Sequence, residues 1–258
     1  MIKKIAEMAN VNKQDVVVEI GAGNGVLTEQ LAQKAAKVIA VELDDRLATV
    51  LDDRLSQYHH VHIHRGNILK FDFRALADRE NTKLRVVGNI PYNISSPLIF
   101  YLLSFKDVIT SFTLMMQKEF VDRLVASPGT KSYGVPSVIL QMFSSLENVM
   151  NIPAKYFYPR PKVESSLIRG CFLTTSRVEL RDEELFIRLV RDSFAQRRKM
   201  LINNLKQSIL MSEVEESSLR KILISLNIDG RRRGETLSIE EFGHLSNALK
   251  EIIQMTKP

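Results

Sequence analysis

Short apolar runs alternate with amphipathic stretches along the first two thirds of the chain. The run Val16–Ile20 is β-branched and nearly continuous, as expected for a strand that is buried on both faces. Further apolar runs begin at Val38, Val61 and Leu84, and between them apolar residues recur at helical spacing. Strands that alternate with helices in this rhythm predict βαβ units and a parallel sheet.

The pattern changes character towards the carboxyl terminus. From Arg181 onward the periodicity is only helical, with Ser212 and Ser238 placed as helix caps. We therefore expect an α/β domain over residues 1–175 and an all-helical domain over residues 176–258. The other predicted elements are helices over 1–9, 26–36, 97–103, 119–125 and 134–143, strands over 110–115 and 165–172, and an edge strand over 146–152.

Composition narrows the class of protein. The 258 residues are 45% hydrophobic and 26% charged, which is ordinary for a soluble globular chain with a sizeable core. No apolar run reaches the roughly 18 residues of a membrane span, and the amino terminus lacks the apolar core of a signal peptide. The single Cys171 excludes an internal disulfide and a Cys-rich zinc site. We expect a cytoplasmic protein.

The formal net charge of +6 permits an anionic partner. The placement of the basic residues is more informative, because Arg197–Lys199 and Arg231–Arg233 are compact clusters. Basic triplets on helices are most often only solvated faces. Contact with nucleic acid is the alternative.

Three glycines form the first chemical signal. Gly21, Gly23 and Gly25 lie between a buried strand and a helix, where bare backbone lets a ligand approach closely. A dinucleotide fingerprint requires its third glycine at the position of Val26, which disfavours a dehydrogenase. Glu42 ends the second strand, where a carboxylate can accept the hydroxyls of an unphosphorylated ribose. The alternative for Glu42 is an ordinary charge at a strand end.

The loop Gly88–Asn93 follows another strand and precedes a helix. Asn89 offers an amide oxygen, Pro91 stiffens the loop beside free carbonyls, and Tyr92 offers a flat face. These groups suit a nucleic-acid base. From the loop alone, a turn with a buried tyrosine is an equally good interpretation.

The end of the third predicted strand supplies further candidate ligand-binding residues. Asn67 could hydrogen-bond the rim of an adenine, and Ile68 could pack on its face, although Gly-Asn is also a common turn pair. Together the strand ends predict a pocket for an adenosine that need not carry a pyrophosphate. Met115 and Met116 are expected in the core.

The chain resembles the ribosomal RNA adenine N6-dimethyltransferases of the small-subunit type, which use S-adenosylmethionine. The resemblance implies a Rossmann-like methyltransferase sheet with helices on both faces and a small all-helical C-terminal RNA-binding domain. It also implies dimethylation of two adjacent adenines in small-subunit ribosomal RNA during ribosome biogenesis, by a monomer that needs no metal or membrane. The similar stretches cover nearly the whole chain and lie at residues 19–25, 42, 88–93, 116–119, 157–163, 194–199 and 237–242.

The resemblance assigns roles to individual residues. The catalytic group comprises Asn89, Pro91 and Tyr92: the Asn89 amide oxygen and a carbonyl near Ile90 or Pro91 would hold the adenine amino group, and Tyr92 would stack on the base. Phe157 would close the other side of a flipped base. The residues implied for the cofactor are Gly21, Gly23, Glu42, Leu43, Asn67, Ile68 and Asn89. The residues implied for the RNA backbone are Arg160, Lys162, Arg197, Arg198 and Lys199.

Two departures from the family and three rival functions accompany this hypothesis. An upstream segment that covers the cofactor in the family would lie before Met1, so we expect either a more open pocket or a natural chain that starts further upstream. Asn67 stands where an aspartate is usual, so its bond to adenine lacks charge assistance. The rivals are a large-subunit antibiotic-resistance methyltransferase, a non-catalytic RNA-binding assembly or transcription factor, and a dehydrogenase. Residues 194–199 and 237–242 favour the small-subunit type.

Overall fold

A single mixed sheet of seven strands forms the framework of the chain. A computed structural model describes residues 2–156, 161–208 and 214–256. The spatial order of the strands is β3-β2-β1-β4-β5-β7-β6. The strands are β1 Val16–Ile20, β2 Lys37–Glu42, β3 Val61–Arg65, β4 Leu84–Asn89, β5 Ile109–Gln117, β6 Ser144–Ile152 and β7 Ser165–Phe172.

Five strands run parallel, and β7 joins them in the antiparallel sense. Strands β3, β2, β1, β4 and β5 are joined by parallel ladders, whereas β7 pairs with β5 in the antiparallel sense. The prediction of a parallel sheet built from βαβ units is therefore confirmed for its first five strands. The predicted edge strand over 146–152 is also confirmed, because β6 ends the sheet.

Eleven α-helices are found among the described residues, and those of the first half cover both faces of the sheet. Val17 packs in one cluster with Ile5 and Leu31. Side chains alternate along a strand, so Lys37 of β2 points to the opposite face, where it pairs with Glu80 at 2.7 Å. The helices are α1 Ile2–Met8, α2 Val26–Ala32, α3 Asp45–Leu55, α4 Phe73–Glu80, α5 Ser95–Leu103, α6 Lys118–Leu124, α7 Val135–Phe143, α8 Glu183–Ser193, α9 Leu201–Lys206, α10 Glu216–Ser225 and α11 Ile239–Thr256.

Helix α2 is shorter than predicted. The pattern favours a helix to about residue 36, but α2 ends at Ala32. The Ala36 amide donates to the Asp15 carbonyl at 3.0 Å instead of continuing the helical ladder. This bond directs the chain into β2, which starts beside β1.

The chain divides into two compact units, Met1–Asp122 with Ser145–Phe172, and Arg123–Ser144 with Leu173–Pro258. From α8 onward the regular elements among the described residues are all helices, as predicted. The predicted cap at Ser238 is confirmed: its hydroxyl accepts from the Glu241 amide at 3.0 Å, and the Glu241 carboxylate accepts from the Ser238 amide at 2.7 Å. Ser212 lies outside the described residues. The domain boundary at residue 175 stays a prediction.

Among the described residues, no helix has both the length and the apolarity that a membrane crossing requires.

Candidate active site

The carboxylate of Glu42 joins the ends of the first two strands. Its Oε2 accepts from the Gly23 amide at 2.9 Å, and its Oε1 accepts from the Leu43 and Asp44 amides at 2.9 and 3.0 Å. The residue is 8% exposed. Glu42 therefore organises the glycine loop, and its Oε2 keeps lone-pair capacity for a ligand hydroxyl.

The glycine loop is bonded internally. Gly21, Gly23 and Gly25 all have positive φ angles, of 68°, 55° and 78°, which glycine adopts without strain. Their amides donate within the protein: Gly21 to the Val41 carbonyl, Gly23 to Glu42, and Gly25 to the Ala22 carbonyl. Amides already bonded in this way do not form an open anion nest, so the geometry disfavours a pyrophosphate at this loop.

The loop after β4 lies beside the glycine loop. A Cβ atom added to Gly21 would lie 3.6 Å from the Asn89 carbonyl oxygen, which is van der Waals contact. The Asn89 residue is exposed, whereas Ile90 is 1% exposed and its amide donates to the Met115 carbonyl at 2.9 Å. The buried Ile90 thus anchors the loop to β5 and leaves Asn89 at the surface.

The Pro91 carbonyl and the Tyr92 hydroxyl each have a hydrogen-bond partner within the protein. The Pro91 carbonyl accepts from the Ile94 amide at 3.1 Å in a 3₁₀ turn over Tyr92–Ile94. The Tyr92 hydroxyl is 3.0 Å from the Ser165 hydroxyl, and Ser165, the first residue of β7, is 1% exposed. A buried partner of this kind fixes the direction of the Tyr92 ring.

The end of β3 reaches the same edge of the sheet. The Gly66 amide donates to the Glu42 carbonyl at 2.8 Å, which ties this turn to the end of β2. The Asn67 side-chain oxygen accepts from the Leu69 amide at 2.9 Å, so one of its two lone pairs is occupied. Ile68 is buried at 5% exposure, whereas Leu43 is 70% exposed beside Glu42. Leu43 offers an apolar surface to a flat ligand.

Glu19 is an unusual group at this end of β1. It is 1% exposed, and its Oε2 has no hydrogen-bond partner within residues 2–156, 161–208 and 214–256. Burial raises the pKa of the Glu19 carboxyl from 4.5 to about 8; the nearby Thr28 hydroxyl opposes this rise and the Glu42 carboxylate adds to it. Glu19 is therefore mostly a neutral acid at pH 7.

The residues predicted to contact RNA have different environments. Phe157 and Arg160 lie outside the described residues, and Lys162 is exposed. The Arg197 guanidinium bonds Glu235 at 2.5 Å and also donates to the backbone carbonyls of Lys131 and Tyr133.

Of the rest of that basic cluster, Arg198 is exposed and Lys199 is half-buried. The Lys199 ammonium is 3.4 Å from the Gln207 side-chain oxygen, a long contact with a neutral group. Arg198 and Lys199 are therefore better placed than Arg197 to meet an external phosphate.

Two residues of this site, Glu19 and Ser165, were not predicted from the sequence. Glu19 had a detectable signal, because an acidic residue inside a strand that is apolar on both faces is unusual. Ser165 had none, since its contact with Tyr92 spans 73 positions of the chain. Met115 and Met116 are buried at 4% and 0% exposure, which confirms the prediction that they belong to the core.

Comparison with known sequences gives consistent matches over most of the chain. The family model described as "Ribosomal RNA adenine dimethylase" matches residues 1–244. The Ribosomal RNA small subunit methyltransferase A of Geobacillus sp. (strain WCH70) is 41% identical over 256 residues, covering 98% of this chain and 88% of the relative. The protein of the same name from Bacillus mycoides (strain KBAB4) is 43% identical over 252 residues, covering 96% and 86%.

Solved structures show similar folds. A dimethyladenosine transferase from Plasmodium falciparum superposes with a TM-score of 0.84 at 28% identity, covering 95% of this chain and 93% of the other. The 23S rRNA methyltransferase ErmE superposes with a TM-score of 0.74 at 24% identity, with 96% of each chain covered. The second likeness concerns the fold alone.

Proposed function

We propose, since the chain belongs to the ribosomal RNA adenine dimethylase family, that it dimethylates two adjacent adenines of small-subunit ribosomal RNA with S-adenosylmethionine as the donor. The chain is an enzyme of ribosomal RNA modification. The observation that carries the proposal is the proximity of Gly21 to Asn89: a Cβ atom added to Gly21 would lie 3.6 Å from the Asn89 carbonyl oxygen, which brings a cofactor-type loop beside a base-type loop. The curated relatives named for the small subunit support the choice of substrate.

The residues at the sheet edge fit S-adenosylmethionine. Glu42 would accept a ribose hydroxyl at Oε2, the atom with spare lone-pair capacity. Asn67 would bond the adenine rim through its amide, with Ile68 and the exposed Leu43 on the ring faces. The bound donor supplies an electrophilic methyl group on a positively charged sulfur. The internally bonded glycine loop suits a ligand without a pyrophosphate.

The target adenine would be held by hydrogen-bond acceptors. Its N6 lone pair is delocalised into the ring, so the amino group becomes a better nucleophile as its geometry turns tetrahedral. The Asn89 amide oxygen and one backbone carbonyl would accept the two amino hydrogens. The second acceptor would be the Ile90 or the Pro91 carbonyl; the Pro91 carbonyl accepts from the Ile94 amide and keeps one lone pair for the adenine. This is catalysis by alignment and placed dipoles.

Stacking and phosphate contacts would place the base. Tyr92 would stack on the adenine through a ring whose direction Ser165 fixes, and such stacking is worth roughly 1–3 kcal/mol. Phe157 would cover the other face. Phosphates would be bound by Arg160, Lys162, Arg198 and Lys199. We propose that a monomer acts, with residues 1–175 as the methyltransferase domain and residues 176–258 as the RNA-binding domain.

Methylation of purified ribosomal subunits with labelled S-adenosylmethionine tests the substrate. We expect label in small subunits that lack the modification and none in large subunits. Label confined to large subunits would falsify the substrate assignment. A mass measurement of the labelled adenine is expected to show two added methyl groups.

Asn89→Ala tests the mechanism. We expect this variant to lose methyl transfer while its RNA affinity stays within a few-fold of the wild type, because the exposed amide acts on the amino group rather than on the RNA backbone. The control is Asn148→Ala, which removes a half-buried amide of edge strand β6 that donates to the Asn151 side-chain oxygen at 3.2 Å, and it is expected to keep transfer. An equal collapse of RNA binding in Asn89→Ala would make Asn89 a structural residue.

A further inference from the structure

Glu19 is a buried acid that the mechanism above does not use. It is 1% exposed, and its Oε2 finds no donor anywhere in the described part of the chain. Burying a carboxylate oxygen that receives no hydrogen bond and faces no cation is strongly unfavourable, whereas the protonated acid is tolerated. The geometry therefore favours the neutral acid in the protein without ligand.

The surroundings of Glu19 support this state. Its neighbours in the sheet ladders are Ala40 of β2 and Val87 of β4, both apolar and fully buried. From α2 it faces the Thr28 hydroxyl, which lowers its pKa, and the charged group that acts on it is the Glu42 carboxylate, which raises it. The net result is a pKa of about 8.

Glu19 is linked to the ligand pocket through two routes. It lies two residues before Gly21, where the chain enters the glycine loop. It also interacts with Glu42, whose Oε2 holds the Gly23 amide. A charge that enters this pocket therefore acts on Glu19 directly and through Glu42.

The proposed ligands differ in charge. S-adenosylmethionine has a net positive charge because its sulfur is a sulfonium, whereas the product S-adenosylhomocysteine has a neutral sulfur. A positive charge near a buried acid favours its ionised form. Donor and product should thus have opposite consequences for Glu19.

We propose that Glu19 is a proton-linked positioning residue of the cofactor pocket, neutral in the empty protein and ionised when the sulfonium donor is bound. This inference rests on the proposed function. On donor binding the carboxylic O–H bond breaks, its electron pair stays on oxygen, and the proton passes to solvent. Once the methyl group has left, the sulfur is neutral and Glu19 takes up a proton again. The residue thereby favours the donor over the product in binding.

Calorimetry measures this linkage without any turnover. Donor and product are titrated at pH 7 into the wild-type chain in buffers of different ionisation enthalpy, and the dependence of the heat on the buffer gives the protons released. An acid with a pKa of about 8 is about 0.9 protonated at pH 7. We therefore expect the wild type to release up to about 0.9 more proton than Glu19→Gln on donor binding.

Two controls sharpen the measurement. Glu29→Gln removes a carboxyl of α2 whose pKa is lowered by its bond to Arg54, so it is already ionised at pH 7, and this variant should release as many protons as the wild type. In the wild type alone, S-adenosylhomocysteine should release fewer protons than S-adenosylmethionine. That comparison keeps the inference testable if Glu19→Gln does not fold.

The outcomes separate the two proposals. If the donor binds and proton release is the same in the wild type and Glu19→Gln, or the same for donor and product, the inference about Glu19 is overturned while the cofactor assignment stands. If the donor gives no binding heat with the wild type, the proposed cofactor is wrong and the inference falls with it.

Discussion

Gly88→Ala is expected to lower both the transfer rate and the stability, because Gly88 sets the distance between the catalytic loop and β1. Gly88 is buried in β4, pairs with Ile20 of β1, and immediately precedes Asn89. A Cβ atom at this position would lie 2.8 Å from the Ile20 carbonyl oxygen, 2.9 Å from the Ile20 Cβ and 3.1 Å from the Ile90 Cδ1. The first two neighbours are fixed by the backbone and have no rotamer that relieves the contact.

The size of the effect follows from these distances. Non-bonded carbon atoms prefer separations of about 3.5–4.0 Å, so the contact with the Ile20 Cβ is too short by roughly 0.6–1.1 Å. Strand β4 must move away from β1 by a similar amount, and Asn89 moves with it. Overpacking of this kind costs roughly 1–3 kcal/mol of stability. A misplacement of about 1 Å in a catalytic group costs on the order of 100-fold in rate.

Urea unfolding and single-turnover methyl transfer measure the two quantities on the same preparation. The matched control is Gly134→Ala, where an added Cβ meets no atom within 4 Å and φ is −170°, an extended angle that any residue adopts. We expect this control to stay within about 0.5 kcal/mol of the wild type. If Gly88→Ala lost stability but kept its transfer rate, the link between strand spacing and alignment would be refuted.

Three further predictions concern stability, base stacking and RNA contact. Glu19→Gln should remove a pH dependence of the free energy of unfolding. The folded wild type keeps a proton that the unfolded chain loses above pH 4.5. The free energy of unfolding of the wild type should therefore fall relative to the variant by about 1.4 kcal/mol per pH unit up to about pH 8. Urea unfolding across that range checks this, and a constant difference contradicts it. Tyr92→Phe and Ser165→Ala should each lower kcat/KM for RNA several-fold, because each removes the same hydrogen bond of about 1 kcal/mol. The kcat/KM of the double variant should fall no further than that of either single variant. Additive losses in that cycle would show that the two hydroxyls act separately. Arg198→Gln should weaken RNA binding and reduce the slope of log affinity against log salt concentration by about 1. Arg197→Gln should mainly lower the free energy of unfolding, by about 1 kcal/mol. An unchanged slope in Arg198→Gln would exclude a phosphate contact.

Local pattern was sufficient to predict most of the first five strands. The β-branched run at Val16–Ile20 predicts a strand buried on both faces, and all five of its residues are buried. The insertion of β7 between β5 and β6, against the direction of β5, was not predicted. Periodicity reports which face of a strand is buried but not which strand becomes its neighbour.

The candidate site was predictable to the extent that its residues follow strand ends. Gly21, Glu42 and Asn89 lie at one edge because parallel strands place their carboxyl ends together. The basic cluster illustrates the limit of this reasoning. Arg197 and Arg198 are equivalent in the sequence, yet Arg197 is bonded to Glu235, a residue 38 positions away. Such a partner depends on the packing of helices and is not encoded in the local pattern.

The three hydrogen bonds that backbone amides donate to the Glu42 carboxylate affect how related sequences are interpreted. This carboxylate accepts hydrogen bonds from the Gly23, Leu43 and Asp44 amides. A relative that had lost methyl transfer would still need an acid here to keep the two strand ends together. An acid at this position therefore indicates an intact fold and does not by itself indicate activity. The exposed amide of Asn89 is the better indicator of whether a given relative still modifies its RNA.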